Sequence, residues 1–343
     1  MNVFIGLDVS LASTAICVLG PQGKIVEELQ AESEPEALVR AIVALPYSID
    51  TIGLEAGPLS QWLSKGMEEA GFDVVMMETR LVKAALKAMP IKTDRRDAQG
   101  ISRLLQMGWY RPVHRKSVSS QEVRALLTAR KSVQQAIINL ELSMRGVLRN
   151  FGLKLGHVTR IRYEARVREL VEQNEILSTS TEALLRARSQ LRAELAELDA
   201  KIAGLAKDDN VCRLMMTMPG VGPIVALTVK SAIDDPARFA RSKDVGPWAG
   251  LTPRRTQSGE MDIVGQITRA GDRGLRTALY QAAMILMHRG SPNWLQAWAL
   301  RVARRRGSKR ALIALARRIG VVLHRMWRDG TPFRSAQSPA ATV

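Results

Sequence analysis

Asp8 and Glu55 each end the same short device, in which an apolar run passes through Gly-Leu and finishes on a carboxylate: Gly6-Leu7-Asp8, then Gly53-Leu54-Glu55. A charge where a core strand meets its end is costly unless it is hydrated, paired or bound to metal. Either acid alone reads as a solvated strand terminus, but recurrence on two strands points to a shared site. The glycine two residues earlier, on the same strand face, leaves room for a ligand or another backbone. Farther along, Lys92-Thr-Asp94-Arg-Arg-Asp97 follows Pro90 and opens a helical pattern that puts Asp94 and Asp97 on one face. Four converging carboxylates would make a hard, oxygen-only site for Mg²⁺ or Mn²⁺. Such ions activate a nucleophile and stabilise a leaving oxygen at phosphorus. The plain alternative is a helix start, with Asp94 as N-cap and Asp97 in the first turn, and both readings can hold together. Lys92, Arg95 and Arg96 beside the acids suit a site that also holds phosphate.

A second set of chemistry-bearing residues lies far away in the sequence. Ser258 ends Arg254-Arg255-Thr-Gln-Ser258, in a Gly-rich basic loop expected over Gly250 to Gly259. No histidine lies in that loop to act as base, though arginines can hold a phosphate and offset charge on its oxygens. On these residues alone Ser258 reads as a turn residue. Met218-Pro-Gly220-Val-Gly222-Pro-Ile224 resembles a helix-hairpin-helix loop, whose backbone N–H groups and following helix N-terminus meet a phosphate. An ordinary helix-helix turn fits equally. Arg269, Arg273 and Arg276 recur at four and three, and share a phosphate-facing row if the helix has begun by Arg269.

The acids need strands and a helix to position them, and the sequence supplies both. Val3 to Val9, Ala15 to Leu19 and Ile25 to Leu29 read as three strands with tight turns. A helix over Glu34 to Leu45, a strand over Thr51 to Glu55, a helix over Leu59 to Ala70 and a strand over Asp73 to Met77 follow. This implies a mixed sheet covered by helices, in a first domain of residues 1–108. Residues 119–207 have the composition of long helices. Leu184, Leu191, Leu195, Leu198, Ile202 and Leu205 form a heptad seam that Arg188 interrupts. It fits either an intramolecular helical hairpin or a coiled coil between copies of the chain. Residues 208–290 form a third, mostly helical region, with helices from Ile224 to Ile233 and Leu275 to His288. Residues 291–343 make a basic tail, whose Arg304 to Arg310 stretch reads as a disordered arm on nucleic acid or a solvated helix face.

Charge separates these regions. Of 50 Lys and Arg and 33 Asp and Glu, residues 1–100 hold 9 and 14, a net −5; the remainder holds 41 and 19, a net +22. That remainder is the footprint of a polyanion binder. No apolar run is long enough to span a bilayer, and the N-terminus lacks the basic region of a signal peptide, so a cytoplasmic protein is expected. Cys17 and Cys212 are too few for a disulfide framework or a Cys-rich zinc site and read as buried, inert thiols. The four scattered histidines argue against a His-ligated metal. Trp294 and Trp298 share a helix face and read as core.

Taken in order, these features resemble the DEDD transposases of the insertion sequence 110 family. Asp8, Glu55 and the Asp94-x-x-Asp97 pair match its N-terminal ribonuclease-H-like, resolvase-type domain. Pro219-Gly-Val-Gly-Pro223, Gly250-Leu-Thr-Pro253, Ser258-Gly259, Gly265-x-Ile267-x-x-x-Gly271 and Leu275-Arg276-x-x-Leu279 match its C-terminal region in order and approximate spacing. The resemblance implies DNA strand exchange, with Asp8, Glu55, Asp94 and Asp97 as metal-binding catalytic acids and Ser258 as the nucleophile that links covalently to DNA. It further implies a structured noncoding RNA that selects the DNA partners. The heptad stretch adds a homo-oligomer, and a DNA partner places the protein on the bacterial nucleoid. The alternatives are a metal-dependent nuclease or Holliday-junction resolvase acting by hydrolysis, and a catalytically silent nucleic-acid binder.

Overall fold

A computed structural model describes residues 2–87, 92–289 and 292–335. Pro90 and the last residues of the tail lie outside them. The chain divides into two compact units, Met1–Lys116 and Ser117–Val343.

The first unit opens with three strands, β1 (Asn2–Val9), β2 (Ser13–Leu19) and β3 (Ile25–Glu32). Helix α1 (Pro35–Val43), strand β4 (Ser48–Glu55), helix α2 (Ser60–Glu69), strand β5 (Val74–Met77) and helices α3 (Thr79–Leu86) and α4 (Asp94–Gln106) follow. The sheet order is β3-β2-β1-β4-β5: the meander is antiparallel, and β4 and β5 add in parallel. This is the mixed sheet that the strand and helix patterns predict. β1 and β4 sit at its centre with Val3, Ile5, Leu7, Ile52 and Leu54 fully buried, which explains their nearly continuous apolar runs.

Within the second unit, α5 (Val118–Asn150), the short α6 (Tyr163–Val171) and α7 (Glu175–Asp208) form a helical arm. Arg130 pairs with Asp199 and Glu141 with Arg188, so moving along α5 runs backwards along α7 and the two are antiparallel within the chain. Leu191, Leu195 and Leu198 of the seam are half-buried and Ile202 is buried. Arg188, the interruption, is only 2 % exposed. Its Nε donates to Glu141 at 2.7 Å and its Nη1 to Glu164 at 3.0 Å, and the guanidinium lies 4.4 Å over the Tyr163 ring. A buried cation in a leucine seam is tolerated because both carboxylates and the ring meet it there.

Helices α8 (Asn210–Met216), α9 (Pro223–Ile233) and α10 (Val245–Trp248) follow, then strands β6 (Pro253–Ser258) and β7 (Met261–Ile267). Helices α11 (Arg273–Arg289), α12 (Trp294–Arg306) and α13 (Ser308–Asp329) complete the unit. Leu279, Leu286, Leu315, Ile319 and Leu323 anchor their shared core. Two expectations need correcting. The Gly250 to Gly259 stretch is mostly a strand, because Pro253–Ser258 pairs with Met261–Ile267 in a two-stranded ribbon. Of the two readings for Arg304 to Arg310 the disordered arm falls and the solvated helix face stands, since the stretch is the exposed end of α12, Gly307 and the start of α13.

Candidate active site

Two glycines and one helix assemble the acids. Gly6 pairs with Gly53 and Leu7 with Leu54 across the parallel β1–β4 ladder, so Asp8 and Glu55 come next on neighbouring strands and on the glycine face. Helix α4 covers that face. A Cβ at Gly6 would collide with the backbone of α4, at the Ala98 carbonyl oxygen and the Ser102 amide nitrogen. The room that Gly6 leaves is thus taken by another backbone, and it seats α4 with its acidic first turn toward Asp8. Leu105, near the far end of α4, reaches toward Gly53. On the outer side Glu28 of β3 accepts hydrogen bonds from Arg95 and from Gln99 Nε2, the latter at 2.7 Å.

The N-cap of α4 is Thr93, not Asp94: the Thr93 hydroxyl accepts from the Arg96 amide at 3.3 Å, and Asp94 is the first helical residue. Asp94 is therefore exposed and free of capping work, while Asp97 is half-buried in the first turn. Burial lifts the Asp8 carboxyl to about 6, with Asp97, Asp94 and Glu55 adding to the rise and Lys92 opposing it. Burial also raises Glu55, while Lys83 and a hydrogen bond from Thr79 pull it down. All three other acids therefore act on Asp8. Among the described residues no three His, Cys, Asp or Glu side chains stand as a group that could hold a metal ion, so the four acids form a dispersed cluster. Its donors are hard oxygens with more negative charge than nearby cations offset, which fits a divalent cation better than a second lysine.

Lys83 and Thr79 of α3 do not stand out in the sequence. Their one signal is a Thr-x-x-x-Lys spacing just after β5, in a stretch too short and polar to announce a helix. Of the three predicted phosphate-binding cations here, Lys92 is exposed, Arg96 is half-buried, and Arg95 is ion-paired to Glu28. A cleft of about 680 Å³ runs past Asp94, with Glu28, Gln30, Thr93 and Arg95 on its walls.

Ser258 occupies a different setting in the second unit. It is the last residue of β6, opposite Met261, beside a two-residue turn of Gly259 and Glu260. Gly259 has φ +56°, the left-handed conformation that such hairpin turns require. Almost the whole ribbon is exposed, and the Ser258 hydroxyl makes no hydrogen bond among the described residues. Arg255 forms a bidentate pair with Asp262, both bonds at 2.7 Å, and Arg254 donates to the Thr268 carbonyl at 3.4 Å.

The base of the ribbon is as tight as its tip is open. Gly250 at φ +71° and Gly271 at φ +72° let two loop backbones interlock, because a Cβ on the first would strike Ala270 and on the second Trp248. Arg276 Nη1 then donates to the carbonyls of Ala249, Ala270 and Gly271 at 3.1, 2.7 and 2.9 Å. The predicted arginine row is not one helix face. α11 starts only at Arg273, so Arg269 precedes it, in a left-handed conformation (φ 54°). Arg273 is exposed and Arg276 is turned inward to those carbonyls.

In the Gly220–Gly222 loop between α8 and α9, Gly220 has φ +87°, and a Cβ there would stand 2.7 Å from the Ala282 carbonyl of α11. The close approach it permits is to that helix. Gly222 is the N-cap of α9 with open space beside it. Both cysteines are buried, and burial pushes the Cys212 thiol up to about 12, as expected of inert thiols. Trp294 and Trp298 pack half-buried against the core, also as expected.

Comparison with known proteins accords with this geometry. A family model described as "Transposase IS116/IS110/IS902 family" matches residues 212–299, and a DEDD transposase model named for IS110 matches residues 5–152. The transposase for insertion sequence element IS1111A of Coxiella burnetii is 27 % identical over 322 residues, covering 91 % of this chain and 86 % of that protein. A probable family 20 transposase of Pseudomonas aeruginosa is 27 % identical, over 82 % of this chain and 85 % of its own. A pilin gene-inverting protein of Moraxella bovis is 30 % identical across 35 % of this chain and 38 % of its own length. The two family models span the acid-bearing unit and the serine-bearing region in the order the motifs require, and the chain belongs to the IS110-type DEDD transposases of insertion sequences.

Proposed function

We propose that this transposase breaks and rejoins DNA through Ser258, assisted by Mg²⁺ or Mn²⁺ held by Asp8, Glu55, Asp94 and Asp97. The observation that carries the metal site is the Asp8 carboxylate at the end of β1, whose proton affinity is raised by burial and further by Asp97, Asp94 and Glu55. Bound there, the ion supplies positive charge to the oxygens of the phosphate that changes partners. Lys92 and Arg96 hold flanking phosphates, and Arg95, through Glu28, keeps the first turn of α4 in place. Lys83 tempers the charge on Glu55.

In the covalent step Ser258 Oγ attacks phosphorus, and an Oγ–P bond forms as the bond to one deoxyribose oxygen breaks. The serine proton passes to water, and the leaving oxygen takes one up as a hydroxyl. Attack by the hydroxyl of the strand to be joined reverses the exchange and restores the serine. Arg254, Arg255, Arg269 and Arg273 steady the backbone around the ribbon, while Arg276 sets its base. Gly222, open at the N-terminus of α9, offers N–H groups to a further phosphate in a helix-hairpin-helix-like contact, with Gly220 seating that loop. A structured noncoding RNA is the second partner, consistent with the net +22 outside residues 1–100. The helical arm joins copies of the chain as a coiled coil. Ile138 and Leu142, one turn apart on α5 and exposed, support that role. No helix among the described residues is long and apolar enough to cross a membrane, and we place the protein in the cytoplasm, on the nucleoid.

Hydrolysis by a metal-assisted water is the second reading, favoured because no side-chain base among the described residues is bonded to Ser258. One experiment separates the two. Labelled DNA carrying the element junction is incubated with Mg²⁺, any cognate RNA and wild type, Ser258→Ala or Asp8→Ala, then run on denaturing gels. A protein–DNA adduct that disappears in both variants is expected. Free nicked product that survives in Ser258→Ala overturns the serine step in favour of hydrolysis.

A further inference from the structure

Between Asp272 and Asp329 the chain carries thirteen Lys and Arg and no Asp or Glu. Six of those cations crowd the elbow where α12 passes through Gly307 into α13: Arg301, Arg304, Arg305, Arg306, Lys309 and Arg310. All six are exposed, and none makes an ion pair or side-chain hydrogen bond among the described residues. Exposed cations elsewhere do find carboxylates, as Arg168 does at Glu182 and Arg255 at Asp262.

Local helix electrostatics accounts for only half of the cluster. Arg304, Arg305 and Arg306 end α12, where cations complement the helix dipole. Lys309 and Arg310 stand in the first turn of α13, where cations oppose it, and that turn has neither an acid nor a side-chain cap. The repulsion extends inward. Arg318 of α13 lies 5.1 Å over the Trp294 ring and 4.5 Å over Trp298, and its pKa is lowered by burial and then by Arg301 and Arg317. Uncompensated charge of one sign on a two-helix corner is offset most effectively by a polyanion, which releases counterions as it docks.

Geometry narrows the choice of polyanion. Single strands are held by exposed aromatic rings on which bases stack. Here both tryptophans pack half-buried against the core beneath Arg318, and residues 301–310 contain no aromatic side chain. We propose that the α12–α13 elbow grips the phosphate backbone of double-stranded nucleic acid without reading its sequence. The proposal rests on nucleic acid being the substrate, and it is independent of the metal site and of Ser258.

The test measures binding of the full chain, without divalent metal so that no cleavage enters, by fluorescence anisotropy on a short DNA duplex of arbitrary sequence. Parallel arms use the RNA duplex and the single DNA strand, and salt is varied between about 50 and 200 mM. Replacing Arg304, Arg305, Arg306, Lys309 and Arg310 together by Gln should weaken duplex binding on the order of tenfold or more. It should also flatten the salt dependence by about 0.9 for each phosphate that is no longer neutralised. A control takes five exposed cations from the helical arm, Arg160, Arg162, Arg186, Lys201 and Lys207, to Gln, and should change binding less. The pair variant K309Q/R310Q, which lifts the charge opposing the α13 dipole, gives the same answer on a smaller scale should the fivefold variant misfold. An unchanged salt slope, an equal loss in the control, or a larger loss on the single strand than on the duplex each overturns the proposal. Whether the DNA duplex or the RNA duplex loses more identifies the source of the phosphates. Adduct formation at Ser258 is scored separately, so failure of the serine step leaves this result standing.

Discussion

The acid cluster and the serine ribbon solve the placement of reactive groups in opposite ways. Asp8 and Glu55 sit at the ends of two buried central strands, and α4, which carries Asp94 and Asp97, is pressed onto that face backbone to backbone at Gly6. The serine stands at the tip of an exposed ribbon whose base alone is fixed, by Gly250, Gly271 and Arg276. Carboxylates resist burial and repel one another, so a scaffold must force them together, and the raised Asp8 pKa reflects burial first and the neighbouring acids second. A hydroxyl carries no such penalty and can be offered on an edge. Stability and chemistry should therefore be coupled with opposite sign at the acids and uncoupled at the serine.

The sharpest break of that contrast is the pair Asp8→Asn and Ser258→Ala. Each should cut adduct formation on gels by on the order of a thousandfold or more. Asp8→Asn should raise the thermal midpoint of the metal-free protein while abolishing its stabilisation by Mg²⁺ or Mn²⁺. Ser258→Ala should leave both midpoints where they are, within the roughly ±0.5 kcal/mol typical of surface changes. A fall in the metal-free midpoint of Asp8→Asn would show that the cluster stores no repulsion.

Next comes Gly6→Val, which forces side-chain atoms into the α4 backbone and should cost about 3 kcal/mol in denaturant unfolding, with metal stabilisation lost as well. Gly259→Ala at the ribbon tip, open but in the left-handed region, should cost only about 1 kcal/mol. Equal costs would remove the distinction between a forced scaffold and a free edge. Arg276→Met should cost about 2 kcal/mol, because three carbonyls lose a charged donor, and should speed amide exchange at Thr268 and Arg269.

The smallest effect is the pH response. Asp8 has a folded pKa of about 6 against an unfolded 3.8, so between pH 6 and 4 the folded state binds the extra proton. The metal-free protein should thus gain stability from this group as pH falls through 6, and lose it as pH rises. Metal stabilisation should run the other way, weakening below pH 6 as proton and cation compete. Both trends should flatten in Asp8→Asn, and a metal response unchanged between pH 5 and 7 would remove Asp8 from the ligand set.

Much of this molecule is legible along the chain because the relevant physics is local. Apolar runs mark β1, β2 and β4, periodicity marks α1, α2 and α11, and Gly-Leu-acid repeats mark the strand ends. The ribbon is not legible because Pro253–Ser258 and most of Met261–Ile267 are exposed on both faces, so neither alternates in polarity as a half-buried strand does. α3 escapes because eight residues give a periodicity signal too short to read. Arg188 looks like a break in a heptad seam because Glu141 and Glu164, which make it a buried tie, lie on other helices.

The sequence by itself determined which groups could do chemistry, the strands and the helix that carry the acids, and the split between an acidic first part and a basic remainder. Tertiary structure alone decided that the room at Gly6 is filled by α4, that Arg276 holds three carbonyls instead of a phosphate, and that no carboxylate from elsewhere among the described residues pairs with the cations of the α12–α13 elbow. The reason is distance along the chain: propensity and periodicity act over a few residues, whereas desolvation, repulsion and backbone-to-backbone contact depend on neighbours that only folding supplies.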